Sequence, residues 1–364
     1  MTTIVLSAGG SGGHLFPAQA LAAELTRRGR KIIVMTDARG TRYPTFFPGA
    51  AIEIVPAAAF SDRSSLRLMT APFEIMAGVV VALAKLLHAK PAAVVGFGGY
   101  PSLPVMVAAC LARLPTLIVA PDAVLGRANR LVANYVRAIA GGLPLKRFLP
   151  KDLSKVVYTG NPVRPEVVAL NGAPYDTPTA TGPLRLLVFG GSQGAHALSE
   201  IVPAAIASLP TALKSRLDIV QQCRPEDLEQ VRATYAGAGV KAELESFFTD
   251  LPARMAKAHL VIGRSGAGTV AELMVIGRPA ILVPLPHALD DNQTPNADVL
   301  AEAGAGWRVA QSELTPAKLA DMLQAAFASP DDLARRAAAA HALAKPDAAL
   351  RLADLVDRIG EGRA

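Results

Sequence analysis

Short apolar runs recur along the chain, each closed by glycine or proline and followed by apolar residues at three- and four-residue spacing. The first is Ile4-Val5-Leu6-Ser7-Ala8, followed by Gly9-Gly10-Ser11-Gly12-Gly13-His14, with helical spacing predicted from about Pro17. That helix carries Ala18, Leu21, Ala22 and Leu25 on one face and stops at Gly29. The same arrangement returns at Leu184-Arg185-Leu186-Leu187-Val188-Phe189 with the turn Gly190-Gly191-Ser192-Gln193-Gly194-Ala195. Buried strands are predicted at 31–36, 92–96, 116–119 and 156–158, then at 218–222, 260–262 and 280–283. Alternation of this kind predicts α/β architecture, with two Rossmann-like, doubly wound parallel-sheet domains and a ligand between them. A turn-rich stretch from Asn171 to Pro183 separates the halves. The domains are placed at 1–165 and 166–344, with a last helix at about 345–364 packing back on the first.

Composition narrows the class. The chain has 364 residues, 51% of them hydrophobic and 18% charged, which suits two globular cores. Cys110 and Cys223 lie far apart without metal-type spacing, which fits a reducing cytosol. The chain enters a strand at once, so no secretory signal is predicted. The apolar stretch from Ile75 to Leu87 is interrupted by Lys85 and is too short to span a bilayer.

Charge is uneven. Residues 1–165 hold 19 Lys/Arg against 7 Asp/Glu, while the remainder holds 18 against 23. A basic first half calls for an anionic partner. Nucleic acid is disfavoured by 5% aromatic content and the lack of a basic recognition helix. The segment Leu66 to Leu87, flanked by Arg63, Arg67, Lys85 and Lys90, suits a membrane interface, with a buried core helix as the competing reading.

The turns carry the candidate chemistry. Each glycine-rich turn aims backbone N–H groups and a helix N-terminus at one spot, a site for phosphate. The first turn is no dinucleotide fingerprint, because Leu15 stands where the third glycine belongs, and no phosphate-loop lysine follows. His14 beside it is either a general base or a cap. Gly96-Phe97-Gly98-Gly99-Tyr100-Pro101-Ser102 allows close approach of a ligand or merely a tight turn. In Gly263-Arg264-Ser265-Gly266-Ala267-Gly268-Thr269-Val270-Ala271-Glu272 the helix start suits a diphosphate, and the Glu272 carboxylate suits a vicinal diol. Asp290, Asp291, Asn292 and Gln293 suit sugar hydroxyls, and the two acids alone make a poor metal site.

Taken in order, these loops resemble the MurG family of peptidoglycan N-acetylglucosaminyltransferases, of glycosyltransferase family 28 and the GT-B fold. The family's three glycine loops match Gly9–His14, Gly96–Tyr100 and Gly190–Ala195, and its linker matches Gly160-Asn161-Pro162-Val163-Arg164. Its donor motif matches Arg264-Ser265-Gly266-Ala267 with Glu272, Gln293 and Asn296-Ala297. The resemblance implies two Rossmann-like domains facing across a cleft and an inverting transfer of GlcNAc from UDP-GlcNAc to lipid I, giving lipid II and UDP. It implies that the Phe248 backbone meets the uracil and Glu272 the ribose. Ser192 and Thr269 then meet the phosphates, within the donor stretch Ala267, Gly268, Thr269, Val270 and Ala271, and Gln293 meets the sugar hydroxyls. Ser11, Gly12, Gly13, Asp122 and Arg164 complete the donor pocket. Gly98, Gly99, Tyr100 and Asn129 lie on the acceptor side, and His14 is the base.

The resemblance further implies no essential metal, an anionic membrane partner and other cell-wall synthesis proteins. It also implies a peripheral place on the cytoplasmic face of the bacterial inner membrane, in cell-wall growth, shape and division. One departure stands out: Val119-Ala120-Pro121-Asp122 replaces the family's His-Glu-Gln-Asn, while Ala123 to Arg130 matches. That change keeps open a different lipid acceptor, a non-catalytic UDP-sugar binder or an epimerase.

Overall fold

The computed structural model describes residues 2–9, 12–38, 47–57, 65–191 and 194–362, with the side chains of 12 and 65–72 left out. The chain divides into two compact units, Met1–Arg164 with Lys345–Ala364, and Pro165–Ala344. The turn-rich stretch after Asn171 is therefore no border; it belongs inside the second unit. The Tyr175 hydroxyl donates to the His259 carbonyl at 2.8 Å, and Arg278, fully buried, donates to the Pro174 carbonyl at 2.9 Å. These buried bonds hold a polar, proline-rich segment that local sequence marks as a linker.

In the first unit, seven parallel strands are described: β1 (Thr3–Ser7), β2 (Lys31–Thr36), β3 (Ala51–Ile54), β4 (Ala93–Gly96), β5 (Thr116–Ala120), β6 (Ala138–Gly141) and β7 (Val156–Tyr158). Their spatial order is β3-β2-β1-β4-β5-β6-β7. The second unit orders β8 (Leu184–Phe189), β9 (Leu217–Gln222), β10 (Ala242–Glu245), β11 (Leu260–Gly263), β12 (Ala280–Leu282) and β13 (Gly306–Arg308) as β10-β9-β8-β11-β12-β13. The order in which successive strands are added to each sheet reverses at one place, β1/β4 and β8/β11. Ligands of doubly wound sheets sit outside the carboxyl ends of the strands there. Register puts Ser7 beside Gly96 and Phe189 beside Gly263, so two glycine turns leave each sheet side by side.

The sheet of the first unit is covered on both faces. One face packs against the helices Gly12–Arg27 and Ala348–Gly360, burying Leu21, Leu25, Leu352 and Val356. Arg28 pins the C-terminal helix through Asp354 and Asp357 at 2.7 and 3.0 Å. The other face packs against Ser65–Ala89 and Leu103–Leu111, burying Val79, Leu86 and Met106. The first helix begins at Gly12 rather than near Pro17, which places His14 in its first turn.

A histidine links fold to pH. His259 Nδ1 accepts from the Arg185 backbone N–H at 3.1 Å, and burial, then the Arg185 charge, pushes its pKa down to about 4. The unfolded chain takes up this proton near 6.5, so stability is full above that pH and falls as pH drops toward 4. The melting temperature is expected to decline over this window, and His259→Asn is expected to flatten part of the decline.

Candidate active site

At the β1/β4 end of the first unit the sequence-derived residues converge. Gly98 and Gly99 have φ of 82° and 73°, a left-handed region that other residues enter at a cost of about 1–2 kcal/mol each. Their bare backbone lets the His14 ring lie across them: a Cβ on Gly98 would stand 3.4 Å from His14 Cε1, and one on Gly99 3.4 Å from Cδ2. The Ser102 hydroxyl donates to the Gly99 carbonyl at 2.9 Å and closes the turn. Asn129 is buried and donates to the Val119 carbonyl at 2.9 Å, with its amide 3.5 Å from where a Gly98 Cβ would be.

Burial lowers the His14 pKa, while the Asp122 carboxylate and the Phe97 backbone act against it. The ring is therefore neutral at pH 7, the state a base needs. Among the described residues its Nδ1 is enclosed without a hydrogen-bond partner.

The changed segment is resolved by this geometry. Val119 and Ala120 end β5 and are buried in the core, and Pro121 is also buried, its carbonyl lying against Gly142. Asp122 is the member that acts on His14. Tyr100 opens a short 3-10 turn after Gly99, and Arg164 is the last residue of the first unit. Gly12 and Gly13 begin the helix that carries His14. Ser11 and Ser192 lie outside the described residues.

The second unit builds its site where β8, β11 and β12 end. The helix Ala267–Ile276 starts after Gly266, whose φ/ψ of −60° and 149° leaves the chain extended, with no side-chain cap among the described residues. Its first N–H groups are thus open to an anion. Gly268 is exposed, Thr269 and Glu272 are half-buried, and Ala267, Val270 and Ala271 are buried. Arg264, 8% exposed, donates to the carbonyls of Val283 and Pro284 at 3.0 and 3.1 Å and to Gln311 at 2.7 Å.

Gln293 ties the next loop to this one. Its side-chain oxygen accepts from the N–H of Ser265 at 3.2 Å and of Leu285 at 3.0 Å. The Ser265 hydroxyl donates to the Gln293 carbonyl at 2.8 Å, and Asn296 donates to the Ser265 carbonyl at 3.1 Å. The Gln293 oxygen is thereby committed to two backbone N–H groups, and Nε2 is the donor end of the amide. Asp290 and Asp291 adopt φ of 57° and 50°; among the described residues no cluster of three His, Cys, Asp or Glu side chains is placed to hold a metal.

Gln222 is a positioning residue that sequence reasoning missed. At the end of β9 it accepts from the Gly190 N–H at 3.2 Å and donates to the Ser246 carbonyl at 3.2 Å. It thus couples the glycine turn to the segment before Phe248, whose buried ring lies 4.4 Å under the Arg254 guanidinium. A glutamine after an apolar strand carries no such signal by itself.

Comparison with known proteins places this geometry. The model of the glycosyltransferase family 28 N-terminal domain matches residues 4–141, and that of the family 28 C-terminal domain matches residues 185–352. A Chelativorans protein named UDP-N-acetylglucosamine--N-acetylmuramyl-(pentapeptide) pyrophosphoryl-undecaprenol N-acetylglucosamine transferase is 51% identical, covering 99% of this chain and 96% of its own. A protein of the same name from Paramagnetospirillum magneticum is 49% identical, covering 97% and 95%. The crystal structure of Acinetobacter baumannii MurG superposes with a TM-score of 0.82 at 30% identity, over 98% of this chain and 100% of that one.

Proposed function

The chain belongs to glycosyltransferase family 28, and we propose that it moves N-acetylglucosamine from UDP-N-acetylglucosamine to the N-acetylmuramyl-pentapeptide diphosphate of a lipid carrier. The product is lipid II, and the step belongs to peptidoglycan synthesis. The observation that carries this reading is the 51% identity, over 99% of the chain, to a relative bearing that activity in its name.

In this account the second unit holds the donor. The open N–H groups at Ala267–Thr269 take the diphosphate, Glu272 the ribose, the Phe248 backbone the uracil, and Gln293 Nε2 a sugar hydroxyl. The first unit handles the acceptor, with His14 taking the proton of the attacking 4-hydroxyl as that oxygen bonds to the sugar carbon. The bond from that carbon to the diphosphate breaks, and the negative charge left on UDP is met by the helix N–H groups. Transfer on these terms needs no metal ion.

Glu272→Ala tests the donor assignment. Loss of a charge-assisted hydrogen bond to the ribose costs about 1.5–3 kcal/mol, so the donor KM is expected to rise roughly 10- to 100-fold. The acceptor KM should stay near the parent value. An unchanged donor KM would remove Glu272 from the ribose site.

A membrane-facing role for the first unit rests on the helix Ser65–Ala89. Its Val79, Ala82 and Leu86 are buried, while Phe73, Met76, Val80 and Leu87 are 78, 63, 61 and 58% exposed, an apolar stripe at helical spacing. Lys85 is no free flanking charge, since it pairs with Glu53 at 3.0 Å. No described helix is long and apolar enough to cross a membrane. The double variant Phe73→Glu with Met76→Glu is expected to reduce co-sedimentation with anionic vesicles by about tenfold or more; equal sedimentation would place the lipid contact elsewhere.

A further inference from the structure

Two guanidinium groups flank the glycine turn that follows β8. Strand order puts β9 and β11 on either side of β8, so Arg224, just beyond β9, and Arg264, just beyond β11, leave the sheet on opposite sides of Gly190. The Arg224 stem packs on the turn: a Cβ on Gly194 would stand 2.9 Å from its Cγ.

Neither cation hydrogen-bonds a carboxylate in the described structure, although Arg224 forms a long ion pair with Glu226. Arg264 gives its bonds to two carbonyls and an amide, all neutral. Arg224 reaches Glu226 only at 3.8 Å, and the neighbouring Asp227 is engaged by His196 at 2.7 Å. The Nε atoms of both arginines are enclosed without a hydrogen-bond partner among the described residues. A cation as buried as Arg264 is costly unless an anion joins it, and the Arg224 side chain, 40% exposed, is open to the same anion. The two also repel, for Arg224 adds to burial in lowering the Arg264 pKa.

We propose that Arg224 binds the diphosphate of the nucleotide donor, supplying across the glycine turn from Arg264 a fixed positive charge. The inference rests on the reading of the second unit as the donor site and adds a residue to it. A fixed guanidinium there neutralises part of the charge that develops on the departing nucleoside diphosphate.

Calorimetric titration of the full-length protein with UDP, UMP and uridine tests it, using Arg224→Gln and Arg224→Lys. The Gln variant is expected to weaken UDP binding by about tenfold or more and UMP binding less, with uridine binding within about twofold of the parent. The Lys variant should recover part of the loss. UDP binding that is unchanged in the Gln variant overturns the assignment. So does an equal loss of uridine binding, which would mark a merely structural effect. Failure of the parent protein to bind UDP at all would instead overturn the donor site, and the assignment with it.

Discussion

His14→Ala is expected to lower kcat by about 10²- to 10⁴-fold while UDP binding stays within about twofold of the parent. The physical basis is the setting of the ring. It lies across two glycines, with one nitrogen enclosed and with Asp122 acting on it. Burial moves its pKa below 6.5, so the base is neutral at pH 7 and becomes protonated only in more acid solution. The acid limb of the kcat profile should therefore lie below 6.5 in the parent and be absent from the residual activity of the variant. Near-normal turnover would place the base on another group. Asp122→Asn serves as the companion: loss of the carboxylate that favours the protonated ring should shift the acid limb further down.

Gly190→Ala is expected to remove donor binding by damaging the turn itself. A Cβ at Gly190 would fall within 2.5 Å of the Gly194 carbonyl carbon and closer still to the Ala195 nitrogen, both main-chain atoms that side-chain motion cannot relieve. Overpacking of this kind costs roughly 1–3 kcal/mol, which lowers the melting temperature by about 2–12 °C in a unit of this size. The Gly190 N–H bond to Gln222 would also be lost, uncoupling the turn from Ser246. Gly268→Ala is the control, since a Cβ there meets nothing within 4 Å and the φ is ordinary. It should melt like the parent, and any loss of UDP affinity in it comes from crowding the open N–H groups. Equal melting of the Gly190 variant and the parent would show that the turn relaxes freely.

Much of the fold was legible because parallel strands buried on both faces read as apolar runs. Lys31–Thr36 and Val156–Tyr158 were found with the bounds the structure gives them. The strands that escaped notice lacked that signal. Ala51–Ile54 and Ala242–Glu245 are edge strands, half-exposed and carrying glutamates, Gly306–Arg308 is a three-residue edge strand ending in arginine, and Ala138–Gly141 is built mostly of small residues with little β propensity. Their conformation comes from the neighbouring strand. Burial of Arg278 likewise draws in the segment after Asn171, a tertiary effect that turn chemistry conceals.

In the site, the glycine turns were legible because few residues other than glycine take up such backbone. Gln222 was not, since its partners Gly190 and Ser246 lie 32 and 24 residues away. The replacement at Val119–Asp122 could be located in sequence, but only the structure separates its buried strand residues from the carboxylate that acts on His14.

The chain is expected to transfer a sugar from a nucleotide to a lipid-linked acceptor without a metal. The most direct test is incubation of the purified chain with labelled UDP-N-acetylglucosamine, a short-chain lipid-linked N-acetylmuramyl-pentapeptide diphosphate and excess EDTA. Acceptor-dependent release of UDP and a labelled disaccharide product with a β1,4 linkage are expected. Absence of that product from protein that binds UDP, or turnover of the donor without acceptor, would contradict this assignment.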